Sequence, residues 1–235
     1  MPDRLHSTSI LLIETGTAVC SVALASHARI VSLEENGDGR AHAQLVAVFI
    51  EKILRTQRLA PCDLSAVAVS EGPGSYTGLR VGVATAKGLC YAARKPLIAV
   101  NSLRALAQLA IDRGLLPSPD CLIAPLIDAR RMEVYTALFD AHATPRTATT
   151  AEIITADSFA AVLERRPVLF IGDGAAKCRS VLQHPNACFA DVAASAAGML
   201  RPALEAFEAQ RFEDVAYFEP FYLKSFVATT KKAAE

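Results

Sequence analysis

The sequence predicts a mixed-sheet α/β protein in two lobes, and three observations carry that prediction. Hairpin-like strand pairs followed by strand–helix alternation occur twice, the pattern of a duplicated unit. A length of 235 residues suits one large domain or two small lobes. Apolar residues make up 52% and charged residues 20%, which supports packed cores and argues against a disordered chain.

The elements follow in order. Ser9 to Glu14 is an apolar run read as a buried strand, and Thr15-Gly16-Thr17 turns the chain into a second strand, Ala18 to Ala25. Arg29 to Glu35 is a third strand, ended by Asn36-Gly37-Asp38-Gly39. From His42 to Gln57 the period becomes helical, with Leu45, Phe49 and Ile53 in one row and Val46, Ile50 and Leu54 in the next. Val48 widens that stripe beyond what one sheet needs to cover. A strand from Leu64 to Ser70, a helix from Tyr76 to about Arg94 and a short strand from Leu97 to Val100 complete a first lobe, residues 1–104. Helix Ser102 to Asp112 then leads to a Pro-containing link, Pro117 to Asp120. A second lobe, residues 105–228, contains strands Cys121 to Ile127 and Glu133 to Phe139, then a polar stretch from Thr144 to Thr150. A helix from Ser158 to Arg165, a strand from Val168 to Ile171 and the turn Gly172-Asp173-Gly174 follow. Ala193 to Gln210 is an alanine-rich helix, and residues 229–235 read as a disordered tail.

The segment Glu71 to Gly82 (Glu-Gly-Pro-Gly-Ser-Tyr-Thr-Gly-Leu-Arg-Val-Gly) is the most informative of the chain. A strand, a glycine loop and a helix start is the geometry that offers free N–H groups to an anion. The spacing excludes three named loops. A Walker loop needs Lys-Ser/Thr where Leu79-Arg80 stands, a dinucleotide loop needs glycine at Thr77, and a nucleophile elbow needs one residue, not two, between Ser75 and Gly78. Ser75 reads as a helix cap. Gly78, Gly82 and Ala86 recur every four residues, so one helix face is nearly bare. Each glycine costs about 1 kcal/mol of helix propensity, and either a closely pressed backbone or an anion has to offset it.

Charge and cysteines narrow the function classes. Lys+Arg and Asp+Glu balance at 24 each, a poor basis for gripping nucleic acid unaided. The six cysteines are scattered without a Cys-x-x-Cys pair, which argues for buried thiols in a reducing, cytoplasmic compartment rather than a zinc or redox site. The polar start before Ile10 and the short apolar run after it fit neither a signal peptide nor a membrane span.

Several segments together resemble the TsaB family, bacterial partners of the tRNA threonylcarbamoyladenosine synthase TsaD within the actin-like ATPase (ASKHA) superfamily. They are Ile10 to Leu24, the glycine segment through Lys87, Pro96 to Leu103, Ile127 to Tyr135, and Glu219 to Lys224. The glycine segment is the specific one. Glu14-Thr15-Gly16 departs from the usual Asp-Thr-Ser. The resemblance implies two actin-like, RNase H-like lobes with mixed sheets flanked by helices, the second reduced. It also implies a loss. TsaD carries a metal-binding His-x-x-x-His pair where this chain has Ser102 and Leu106, so neither a metal site nor catalytic residues are expected here.

The same resemblance places a weak nucleotide site at Glu14, Thr15, Gly16 and Thr17 in the first lobe and at Gly172 and Gly174 in the second. The second phosphate hairpin, Asp128 to Arg131, has no glycine. No cofactor of the chain's own is therefore expected, with ATP or ADP at the interface of the complex as the place left for a nucleotide. The implied partners are TsaD as a heterodimer and the ATPase TsaE. A homodimer is implied without TsaD, and tRNA is met through the complex. The implied interface uses Leu45, Phe49 and Ile53 of the first long helix with Tyr76, Gly78, Leu79, Gly82 and Ala86 of the second; burial of both helices by their own sheet is the alternative. Support of TsaD in N6-threonylcarbamoylation of adenosine 37, in tRNAs reading codons that start with A, is the function implied. Against it stand an actin-like ATP-binding enzyme and a glycoprotease-like peptidase, for which the five histidines offer no triad.

Overall fold

A computed structural model describes residues 8–39 and 42–224. Two five-stranded sheets organise it. The first contains β1 (Ser9–Glu14), β2 (Cys20–Ser26), β3 (Arg29–Asn36), β4 (Ala66–Gly72) and β5 (Leu97–Asn101), in the order β3-β2-β1-β4-β5. The second contains β6 (Leu122–Asp128), β7 (Glu133–Thr136), β8 (Thr150–Ile153), β9 (Val168–Ile171) and β10 (Ala187–Phe189), in the order β10-β9-β6-β7-β8. Read from the other end, the second sheet repeats the first. In each, two antiparallel pairings run outward from the founding strand on one side and two parallel pairings on the other. That is the duplication the sequence predicts.

Helices α1 (His42–Thr56) and α2 (Tyr76–Ala93) cover one face of the first sheet. There Val46, Ile50, Ile53 and Leu54 meet Ile13, Val22 and Leu24 of the sheet and Val83 and Ala86 of α2. The other face is covered by the 3-10 turn Ala196–Met199 and by α6 (Leu200–Glu208), which close on Ile10, Leu12, Ala66 and Ala68. The chain thus returns to the first lobe after building the second. Helix α3 (Ser102–Asp112) lies at the join, and the sequence boundary at residue 104 falls inside it. Its Asn101 cap accepts from Leu103 N at 3.1 Å and Arg104 N at 3.2 Å, which fixes the turn out of β5. Leu103 and Leu106 then pack into the second lobe's core with Ile123 and Leu169.

Other expectations need correction. The helix expected over Ser158 to Arg165 shortens to α4 (Ala160–Leu163), and the chain after Gly174 makes only α5 (Ala175–Cys178). The alanine-rich helix begins late. Ser195 accepts from Ala197 N and starts a 3-10 turn, and Gly198 presses on the Ala105 carbonyl, so α6 proper starts at Leu200. Residues 229–235 lie outside the described residues. Among those described, no helix is long and apolar enough to cross a membrane.

Candidate functional site

Two regions compete for function, the cleft between the lobes and the outer face of α1 and α2. The cleft has a volume of about 510 Å³. Its first-lobe wall is the β1–β2 turn (Gly16, Thr17, Ala18) with Ser75, Tyr76 and Thr77 at the start of α2; its second-lobe wall is the β6–β7 hairpin with Asp128 and Arg130, together with Tyr135 and Asp173. Phe221, Tyr222, Leu223 and Lys224 complete it from the far end of the chain.

The glycine segment explains the floor. A Cβ on Gly74 would collide with the Gly16 carbonyl, and one on Gly78 with the Thr15 carbonyl. A Cβ on Gly82 would collide with the Thr15 hydroxyl. Close packing of α2 and its loop on the Thr15-Gly16 turn therefore accounts for these glycines. Ser75 N donates to the Gly16 carbonyl at 2.6 Å, and the Ser75 hydroxyl caps α2 by accepting from Gly78 N at 3.3 Å.

This packing decides where each expected nucleotide residue sits. Gly16 and Thr17 line the cleft; Glu14, Thr15, Gly172 and Gly174 do not. Glu14 is 1% exposed, and its Oε1 accepts from Gly16 N at 2.6 Å. Burial raises the Glu14 pKa to about 7, against the Gly16 amide and the Ser70 hydroxyl, which favour the anion; Asp173 pushes in the same direction as burial. Thr15 is buried beneath α2, and its N–H donates to Ser70 Oγ at 3.3 Å. Gly172 takes φ +97, and both it and Gly174 lie against the Leu126 carbonyl, which accepts from Gly174 N at 2.9 Å. They serve the join between β9 and β6. Their neighbour Asp173 reaches the cleft instead and accepts from Asp128 N at 2.9 Å; burial raises its pKa.

In the cleft the Gly16 N–H is committed to Glu14, and the carboxylates Asp128 and Asp173 share the lining with Arg130 and Lys224. The nearest cation to Asp128 is Lys177, already paired with it.

The expected interface residues divide in the same way. Ile53 is 0% exposed, and Gly78, Leu79, Gly82 and Ala86 are buried within the chain, so they cannot meet a partner in this conformation. Leu45 and Phe49 are partly buried against the first-lobe core, and Tyr76 is half-buried at the cleft mouth, stacked on Tyr222. What faces outward is a different row. On α2 it consists of the exposed Ala84 and Gly88 with the half-buried Thr85, and open space lies beyond Gly88; on α1 it consists of Ala47, Val48 (53% exposed) and Glu51. Between the rows runs an apolar groove of about 430 Å³ reaching Leu54, Leu59 and Leu89. The signal for it is in the sequence, since α2 has small residues on two faces. Periodicity alone could not say which face the β1–β2 turn would claim.

Two sheets of one strand order meeting at a cleft define an actin-like two-lobed α/β protein. A solved structure titled YeaZ from Pseudomonas aeruginosa superposes with a TM-score of 0.79 at 26% identity, covering 92% of this chain and 100% of that one. The activator of the 2-hydroxyisocaproyl-CoA dehydratase from Clostridium difficile, solved with bound ADPNP, is similar in fold alone. Its TM-score is 0.50 at 12% identity, over 87% of this chain and 96% of that one. A family model described as TsaD: tRNA N6-adenosine threonylcarbamoyltransferase matches residues 34–232. The tRNA threonylcarbamoyladenosine biosynthesis protein TsaB of Bacillus subtilis is 31% identical over 95% of this chain and 97% of its own length. The chain belongs to the TsaB family.

Proposed function

We infer that this chain is an accessory subunit in tRNA threonylcarbamoyladenosine biosynthesis and that its work is to dock. The named function of its Bacillus subtilis relative supports the process. The observation that carries the docking role is the outward face of α1 and α2. Ala84, Thr85 and Gly88 leave α2 with small side chains on its outward face, Val48 of α1 is exposed, and an apolar groove lined by residues of both helices lies between them. Small side chains let a facing helix approach closely, and an apolar core with charges such as Glu51 and Arg55 at its rim is how an interface is built.

The partner fitting that face is TsaD, with a second copy of this chain as the occupant when TsaD is missing. TsaE joins the pair, and tRNA is met through the complex, in keeping with balanced charge. A nucleotide, ATP or ADP, belongs to the joint surface with TsaD rather than to the interlobe cleft. The cytoplasm is the compartment. The autonomous ATP-binding enzyme and the peptidase are disfavoured, because Glu14 is buried away from the cleft and the Gly16 amide is engaged.

Co-purification with TsaD at native concentration, followed by mass measurement, tests the reading. A one-to-one heterodimer is expected. Two proteins that elute separately at every concentration would overturn it.

A further inference from the structure

The chain after α6 does not simply end. Glu213 N donates to the Leu97 carbonyl at 2.9 Å, extending the first sheet at β5. Lys87 of α2 then reaches out, its Nζ donating to the Ala216 carbonyl at 3.1 Å and to the Phe218 carbonyl at 2.9 Å. Val215 and Phe218 pack against the first-lobe core from above. Phe221 N donates to the Glu71 carbonyl at 2.7 Å. The Tyr222 ring settles on Tyr76 with 4.7 Å between centroids. Every anchor so far belongs to the first lobe. Lys224 alone crosses the cleft, to pair with Glu133 of β7 in the second lobe.

We propose that residues 213–224 form a clasp that gates the cleft between the two lobes. Residues 213–218 are tied down by backbone bonds, the half-buried Val215 and Phe218 and a doubly bonded lysine, so they stay with the first lobe. Residues 221–224 form a wall of the cleft, and among the described residues their tie to the second lobe is a partly exposed ion pair. Such a pair contributes little net stability, so the closed state holds by a small margin and opens without unfolding either core. Tyr222 is the pivot. Its tilted contact with Tyr76 places Lys224 within reach of Glu133, and the Arg80 guanidinium lies over the Tyr76 ring, 5.5 Å from its centroid. Anything entering the cleft displaces the clasp or is closed over by it. This inference does not rest on the docking role, although its Lys87 anchor is next to Gly88 of the outward row.

Hydrogen exchange on the full chain tests it. Lys224→Glu is expected to raise exchange about fivefold at amides of the cleft walls, residues 72–77 and 127–130, as the weak tie is lost. The charge-swapped pair Lys224→Glu with Glu133→Lys is expected to return those amides to wild-type rates, which a merely local disturbance would not do. Tyr222→Ala, which removes the pivot and leaves both charges, is expected to raise the same amides. Wild-type exchange in both Lys224→Glu and Tyr222→Ala, or a swap that fails to restore protection, would overturn the clasp.

Discussion

The two faces of α2 are made of the same kinds of residue and have different fates. The inner row, Gly78, Gly82 and Ala86, is spent on the Thr15 turn, where a Cβ on either glycine would collide. The outer row, Ala84, Thr85 and Gly88, meets nothing of this chain at Gly88 and borders an apolar groove at Thr85. Small residues mark close approach, but not to what. On one face they close the fold; on the other they leave room for a second protein.

Substitutions should separate the two faces, and the largest effect belongs to the inner one. Gly82→Leu drives a side chain into Thr15 beneath the helix and is expected to destabilise by about 3 kcal/mol or more. Urea unfolding measures this; an unchanged midpoint would show that the inner row is not tightly packed. Just beneath lies Glu14. Its carboxyl ionises near 4.5 when exposed and near 7 when folded. Raised folded pKa means the unfolded chain loses its proton first, so stability is full below about pH 4.5, falls as pH rises toward 7 and stays low above it. The loss is on the order of 3 kcal/mol. Glu14→Gln, which keeps an acceptor for Gly16 N, should remove that pH dependence; a variant whose urea midpoint tracks wild type from pH 5 to 8 would refute the buried acid.

A smaller effect is expected at the helix start. Ser75→Ala removes the cap on Gly78 N and should cost about 1 kcal/mol, read as a shift in the thermal midpoint. The smallest stability effect belongs to the outer row. Ala84→Arg, on an exposed helix position, is expected to change stability by less than about 0.5 kcal/mol while abolishing association with TsaD in sedimentation. Retained association would move the interface elsewhere.

How much of this was legible in the sequence depended on how local its cause is. Strands β1 and β9 and helix α3 match their expected limits, because an unbroken apolar run or an Asn101 cap marks each within a few residues. Strands β8 and β10 gave no sign. They are short, partly exposed edge strands without apolar alternation, and pairing with β7 and β9 creates them. The small-residue helix was evident, but not its orientation, since that is set by contact with a turn some sixty residues earlier in the chain. Least legible was the cleft. Asp173 sits between two glycines that lie against the Leu126 carbonyl, and Tyr222 and Lys224 reach the cleft only through the clasp path.

One measurement addresses the claim that the outer face of α2, rather than the interlobe cleft, is where this protein acts. Threonylcarbamoyl transfer to tRNA would be followed with this chain alone, with TsaD plus wild-type chain, and with TsaD plus Ala84→Arg. The expected result is no transfer by the chain alone, support of TsaD by the wild type, and loss of that support in the variant. Transfer by the isolated chain, or full support from Ala84→Arg, would contradict the account.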